Sequence, residues 1–170
     1  MAAHKLENHS STKYRHLAPK NKVFDIDLTY LTSRGNWYYT SWKGNEDKSG
    51  GIASNIGVHF FDMLQWIFGP FEAATVAIKT KDTNSGTLKF KQANVNWYLS
   101  INAENLPSDI KSKGQPTFRA LTIEDQEIEF SRGFTDLHTV SYQKIIEGKG
   151  YGLIDAKNSI EIVSQIRNYE

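Results

Sequence analysis

Cysteine is absent from the 170 residues, which excludes a disulfide framework, thiolate catalysis and thiolate-held metal. No stretch approaches the roughly 18 apolar residues that a membrane span requires, and the start of the chain shows no positive-then-apolar signal segment. An excess of one charge sign is also missing. The 20 basic and 19 acidic side chains leave a formal charge of +1, without the basic footprint that nucleic acid calls for. These absences predict a soluble, cytoplasmic protein with no nucleic-acid or membrane partner. The twelve glycines never form GxGxxG or GxxxxGK[ST], and the cluster Gly148-x-Gly150-x-Gly152 lacks both a preceding strand and the right spacing for a phosphate loop. What remains, 39% hydrophobic and 23% charged residues, is ordinary globular composition with enough chain for one core.

Along the chain, residues 1–21 read as a flexible lead-in or an added segment. Their histidines, His4, His9 and His16, lack the carboxylate support and regular spacing of a metal site. From Lys22 the pattern changes. Val23, Phe24, Ile26, Leu28, Tyr30 and Leu31 alternate with Asp25, Asp27 and Thr29, which predicts a half-buried strand ending near Gly35. Residues 36–51 are rich in aromatics, lysine and glycine without a period and predict a long ordered loop. A largely buried helix is predicted over 54–68, with Ser54 as N-cap and Gly69-Pro70 as its stop. Strands are predicted over 72–81, 86–91, 94–102, 117–123 and 127–131, with turns at KDTNSG and at Asp125-Gln126. The polar, breaker-rich stretch 103–116 predicts no regular structure. Helices follow over 136–147 and 154–168. The sum is an α+β fold: a mostly antiparallel or mixed, open-faced sheet of about six strands with helices on one face. The other face, carrying Asn94, Asn96, Tyr98 and Ser100, is a semi-polar surface that a second copy could cover, so the expected partner there is a homo-oligomer.

Chemistry concentrates on the helix at 54–68. Asn55, His59 and Asp62 are spaced by four and three residues, which places them on one stripe of an otherwise apolar helix. The spacing admits two readings: a buried histidine satisfied by Asp62 or a carbonyl, or an imidazole that exchanges a proton with a substrate hydroxyl. Gly57 costs about 1 kcal/mol inside a helix relative to alanine, which implies close approach of another surface, such as a flat cofactor ring. Upstream, Ser49-Gly50-Gly51 would let the backbone run close to a ligand. Arg34, Lys43 and Lys48 could neutralise an anion, and Trp37, Tyr38, Tyr39 and Trp42 could stack on a sugar or base. The alternative for this loop is a satellite core with solvated lysines at its rim.

The stretch SRGNWYYTSWKGNEDKSGGIASNIGVHFFDMLQWIFG resembles the substrate-domain signature of the Gfo/Idh/MocA oxidoreductases. There a Gly-Gly turn leads into a helix with an (Asp or Asn)-x-Gly-x-His-x-x-Asp pattern, matched here by Asn55 to Asp62. Within that family the SRG…WYYTSWKG stretch is most similar to enzymes that oxidise C3 of UDP-N-acetylglucosaminuronic acid in bacterial surface-polysaccharide (lipopolysaccharide O-antigen) biosynthesis. The resemblance implies that His59 exchanges a proton with the sugar hydroxyl during hydride transfer to NAD or NADP. The residues' own chemistry adds expected cofactor contacts at Gly51, Asn55 and Gly57, and substrate contacts at Trp37, Tyr38, Lys48, Asn55 and Asp62. Asn55 stands where many members carry aspartate; an amide cannot take up the proton, so its part would be to hydrogen-bond substrate or nicotinamide. Arg34 is the candidate for the uronate carboxylate on chemical grounds, because a guanidinium meets a carboxylate with two parallel hydrogen bonds. His138 admits two readings, lining the site or capping the following helix, of which the structural one is favoured. The family's N-terminal Rossmann domain and its Glu-Lys-Pro lysine have no counterpart here. The expectation is therefore a C-terminal substrate-binding and oligomerisation domain over 22–170 that neither holds NAD tightly nor turns over by itself. Two other readings stay open: the same family acting on another sugar or an inositol, and a sugar-binding or dimerisation module without catalysis.

Overall fold

The computed structural model describes residues 22–129 and 137–169. Its centre is a six-stranded mixed sheet built from β1 (Phe24–Thr32), β2 (Phe71–Lys79), β3 (Thr83–Phe90), β4 (Ala93–Ser100), β5 (Thr117–Ile123) and β6 (Gln126–Glu129). The strands lie in the order β2-β3-β4-β1-β5-β6. β1 runs parallel to β4 and every other pair is antiparallel.

Alternation decides which face of this sheet is buried. Phe24, Ile26, Leu28 and Tyr30 of β1 and Val95, Trp97 and Leu99 of β4 all lie on the buried face. Against it pack α3 (Val58–Phe68) and α6 (Leu153–Arg167), through Phe60, Phe61, Leu64 and Phe68 from the first and Ile162, Val163 and Ile166 from the second. Each such side chain contributes about 1.5–3 kcal/mol by leaving water. On the opposite face the Asn94 and Asn96 side-chain amides donate to the carboxylates of Asp25 (3.3 Å) and Asp27 (2.9 Å), and the Thr75 and Thr87 hydroxyls meet at 2.7 Å. The α+β architecture, the six strands and the mixed sheet are as the alternation predicts.

Several local expectations need correction. Residues 36–51 are not a plain loop. They form α1 (Asn36–Thr40), a 3₁₀ turn (Trp42–Gly44) and α2 (Glu46–Ser49), each too short for a periodic pattern to register. The next helix begins at Gly51, and Ser54 is no N-cap, since Ala53–Gly57 is a π-helical turn continuous with α3. The expected turn KDTNSG contracts to residues 80–82, because Thr83, Asn84 and Ser85 pair with Ser100, Leu99 and Tyr98. The last hairpin turns at Glu124 and Asp125, both at positive φ (45° and 65°), one residue earlier than expected. Residues 103–116 hold a 3₁₀ turn (Ala103–Asn105) and α4 (Ser108–Ser112), whose Ile110 packs with Leu106 on Leu31, Tyr98 and Phe118. One end of the polar sheet face is therefore covered, so the helices are not confined to the other face. The C-terminal helices are α5 (Leu137–Ile146) and α6. The lead-in with its histidines, the start of the helix expected at 136 and the end of the strand expected at 131 fall outside the described residues. Among the described residues no helix is long and apolar enough to cross a membrane.

Candidate functional site

The site grows from the junction between the aromatic segment and the central helix. α2 ends at Gly50, in the left-handed conformation (φ 83°), and Gly51 (φ 72°) restarts the chain as a helix. Glycine, lacking a Cβ, adopts such angles without strain. The π-helical turn that follows widens the helix locally, a feature frequent at functional sites. It carries Asn55, and His59 follows one turn later.

Asn55 is the hub. Its Nδ2 donates to the Tyr38 hydroxyl (2.9 Å), the Ser49 hydroxyl (3.1 Å) and the main-chain carbonyl of Lys43 (3.2 Å). These bonds fasten the aromatic segment to the helix. Tyr38 is 3% exposed, and its phenol is pushed above 10.0 by burial, with Asn55 and the Arg34 charge opposing. At pH 7 it is therefore a neutral hydroxyl. Around it Trp37 (52% exposed) and Trp42 (60% exposed) turn their rings to solvent, and the Lys43 ammonium sits 5.8 Å from the Trp42 ring centre. Large apolar rings held at the surface mark a contact site.

Arg34 follows β1, with its main-chain N–H donating to Ile101 (3.1 Å). Its Nε is buried without a hydrogen-bond partner among the described residues. A buried guanidinium nitrogen left unpaired costs free energy unless an anion meets it. Lys48, by contrast, is an exposed residue of α2 whose described hydrogen bond is through its main chain.

His59 points away from the core. Its surface is exposed to solvent, yet the protein mass behind it disfavours the imidazolium and lowers its pKa below 6.5; Asp62 opposes this and Arg119 reinforces it. The ring is neutral at pH 7 and able to accept a proton, so the reading of a buried, satisfied histidine does not describe it. Asp62 has turned the other way. It is 7% exposed and accepts from the Ser159 hydroxyl of α6 at 2.6 Å, a tie between two helices. Gly57 is also corrected. The close approach inferred there is real, but its partner is the sheet: a Cβ would stand 2.8 Å from Leu99 Cδ1 and from Phe61 Cζ. That side of the helix faces hydrocarbon, so Gly57 offers no surface to a cofactor. At Gly51 an added Cβ would meet the Glu46 side chain at 3.2 Å. The structure thus brings together Tyr38, Asn55 and Ser49, sets His59 one turn further on, and directs Asp62 and Gly57 into the interior.

Sequence reasoning missed two contributors. Arg119 lies across from Tyr30 in the sheet, with its guanidinium 4.8 Å from that ring's centre and Nη2 donating to the phenol at 3.3 Å. An arginine in phase with Leu121 and Ile123 on an inward-facing strand was the available signal. The Lys43 carbonyl left none, because a main-chain group has no sequence signature.

A family model described as "Oxidoreductase family, C-terminal alpha/beta domain" matches residues 21–107. The WlbA (WbpB) dehydrogenase from Thermus thermophilus, solved in complex with NAD and α-ketoglutarate, is 41% identical over 95% of this chain and 52% of its own, with a TM-score of 0.86. The same dehydrogenase with NAD and UDP-GlcNAcA matches at 36% identity, over 99% of this chain and 55% of the other, with a TM-score of 0.87. The WlbA dehydrogenase from Bordetella pertussis, with NADH and UDP-GlcNAcA, shares the fold at 16% identity, over 96% and 58% of the two chains, with a TM-score of 0.68. The chain spans about half the length of the Thermus structures it matches.

Proposed function

Because the chain belongs to the Gfo/Idh/MocA oxidoreductases, as their C-terminal α/β domain, we propose that it is the substrate-side wall of an NAD-dependent dehydrogenase that oxidises the C3 hydroxyl of UDP-N-acetylglucosaminuronic acid. Two observations carry this reading: Arg34 holds a buried guanidinium nitrogen without a partner among the described residues, and His59 presents an exposed, neutral imidazole. The first suits the uronate carboxylate and the second a sugar hydroxyl. The Thermus thermophilus WlbA dehydrogenase, which holds NAD in both structures and UDP-GlcNAcA in the one matched at 36% identity, supports the same cofactor and substrate.

In this mechanism His59 takes the hydroxyl proton onto its free ring nitrogen as the C3–H bond breaks. Arg34 holds the carboxylate through two N–H donors and so fixes which carbon faces the cofactor. Trp37 flanks the sugar and Lys48 serves the charged end of the substrate from the rim, whereas Tyr38, expected to stack on the substrate, is buried in the core and supports Asn55 from behind. Among the cofactor contacts expected, Asn55 fits, since its side-chain oxygen can accept from a carboxamide N–H, and Gly51 is half-buried with its N–H already held by Ser49; Gly57 does not fit. NAD, when bound, supplies the hydride acceptor. A dinucleotide-binding half completes the cleft, residues 22–170 being the substrate and oligomerisation domain and 1–21 a lead-in. The polar sheet face, with its Asn–Asp ladder and the concavity between Asp27, Thr75, Thr87, Asn96 and Tyr98, is the surface for assembly with further copies. The complete protein works in the cytoplasm, in surface-polysaccharide (O-antigen) biosynthesis.

The test is NAD reduction by the complete enzyme with UDP-GlcNAcA and with UDP-GlcNAc, which lacks the carboxylate. The wild type prefers the acid, and Arg34→Lys, which loses the forked donor geometry, raises KM for the acid by roughly 10- to 100-fold with a smaller effect on the neutral sugar. Equal use of both sugars by the wild type removes the uronate from the reading.

A further inference from the structure

The bonds around Asn55 fix more than the position of a loop. The Ser49 hydroxyl has one proton and two lone pairs, and all three are used. It donates to the Lys43 carbonyl (2.9 Å) and accepts from the Gly51 N–H (3.1 Å) and from Asn55 Nδ2 (3.1 Å). The Lys43 carbonyl, 3.2 Å from the amide, can only accept. An acceptor that cannot reverse its role decides which end of a carboxamide faces it, so the nitrogen is the inward end. The two protons of Nδ2 are shared among three acceptors, whereas Oδ1 makes no hydrogen bond among the described residues.

We propose that Ser49 and the Lys43 carbonyl are positioning groups that lock the Asn55 amide nitrogen-inward. The site then presents Oδ1 as a pure acceptor and selects a hydrogen-bond donor at that point, a sugar hydroxyl or a carboxamide N–H. The lock stands on the structure by itself; the selection rests on the reading of this wall as the substrate side of the cleft. An ether or carbonyl oxygen brought to the same point would face an acceptor and be disfavoured. A carboxylate in place of the amide would be disfavoured as well, because one of its oxygens would lie against the Lys43 carbonyl.

Asn55→Asp tests the lock without any ligand. Charge beside the carbonyl raises the folded-state pKa of the new carboxyl above its unfolded value, so the variant's stability is retained at low pH and lost as pH rises through that pKa. Thermal unfolding of the chain is expected to show a Tm deficit of roughly 3–6 °C at pH 7.5 that narrows as pH falls and closes near the unfolded carboxyl pKa of about 3.9. Ser49→Ala frees the amide to turn and is expected to raise KM in the complete enzyme about five- to tenfold with kcat little changed. Ser49→Thr, which keeps the hydroxyl, restores it. An Asn55→Asp variant as stable as wild type at pH 7.5, or a Ser49→Ala enzyme with unaltered KM, overturns the proposal. Failure of the dehydrogenase reading shows itself differently, as a wild type that leaves NAD unreduced with every sugar offered, and the pH-dependent Tm gap then still decides the lock.

Discussion

Gly57→Ala separates packing from ligand contact, because the two origins of this glycine predict opposite results. The backbone there is helical (φ −80°) and tolerates alanine without strain. The cost is steric: the new methyl would lie 2.8 Å from Leu99 Cδ1 and Phe61 Cζ and 2.9 Å from Phe61 Cε2, about 1 Å inside ordinary carbon contact. Neither neighbour has room to give. Leu99 and Phe61 are both 0% exposed, and the Phe61 ring meets Trp97 edge-on at 6.1 Å. Overpacking of this kind costs about 1–3 kcal/mol, and alanine's better helix propensity returns up to about 1 kcal/mol. A net loss of about 1–2 kcal/mol is expected, read as a Tm lower by roughly 3–6 °C in thermal unfolding of the chain followed by circular dichroism. Were the glycine there to admit a cofactor ring, the methyl would project into open space, the propensity gain would stand alone and Tm would rise. An unchanged or raised Tm, accompanied by weakened NAD binding in the complete enzyme, refutes the packing argument.

Three other outcomes follow from the same structure. Ser159→Ala removes the hydroxyl that donates to the buried Asp62 carboxylate, and should cost about 1–3 kcal/mol in chemical denaturation; a change below about 0.5 kcal/mol would show that the bond between α3 and α6 carries no weight. The folded-state pKa of His59 lies below 6.5, so with the neutral ring as the proposed base kcat/KM of the complete enzyme should hold down to that pH and fall only below it; Arg119→Gln should move this acid limb upward, and a limb above 6.5 in the wild type contradicts the proposal. Thr87→Glu tests the proposed assembly: it sets a carboxylate on the sheet face that already carries Asp25 and Asp27, and should lower the mass measured by light scattering. An unaltered mass counts against assembly through this face.

The period-two pattern in Phe24 to Leu31 and in Asn94 to Ile101 was enough to specify two strands and their buried faces, because alternation is a property of a single strand. The helix carrying Asn55 and His59, its Gly69 stop and the short turns between strands were legible for the same reason: each is set by residues within a few positions. Pairing is different. That β1 lies parallel to β4 and antiparallel to β5 depends on residues about 70 and 90 positions apart, and no local pattern contains it. The three short turns between Asn36 and Ser49 are held by caps and by Asn55, so they are visible only once the loop has folded onto the helix.

The candidate site divides along the same line. The residues from Asn55 to His59 declared themselves by type and spacing, as did a guanidinium near an aromatic cluster. Spacing placed Asn55, His59 and Asp62 on one stripe; it could not say that α6 would come to rest beside that stripe and take Asp62 into the interior through Ser159, or that β4 would occupy the notch at Gly57. Sequence alone determined the kinds of group available to the site and their order along the helix, since covalent spacing fixes these. Tertiary packing decided which of them meet solvent and which meet hydrocarbon, because that depends on what the rest of the chain brings against each face.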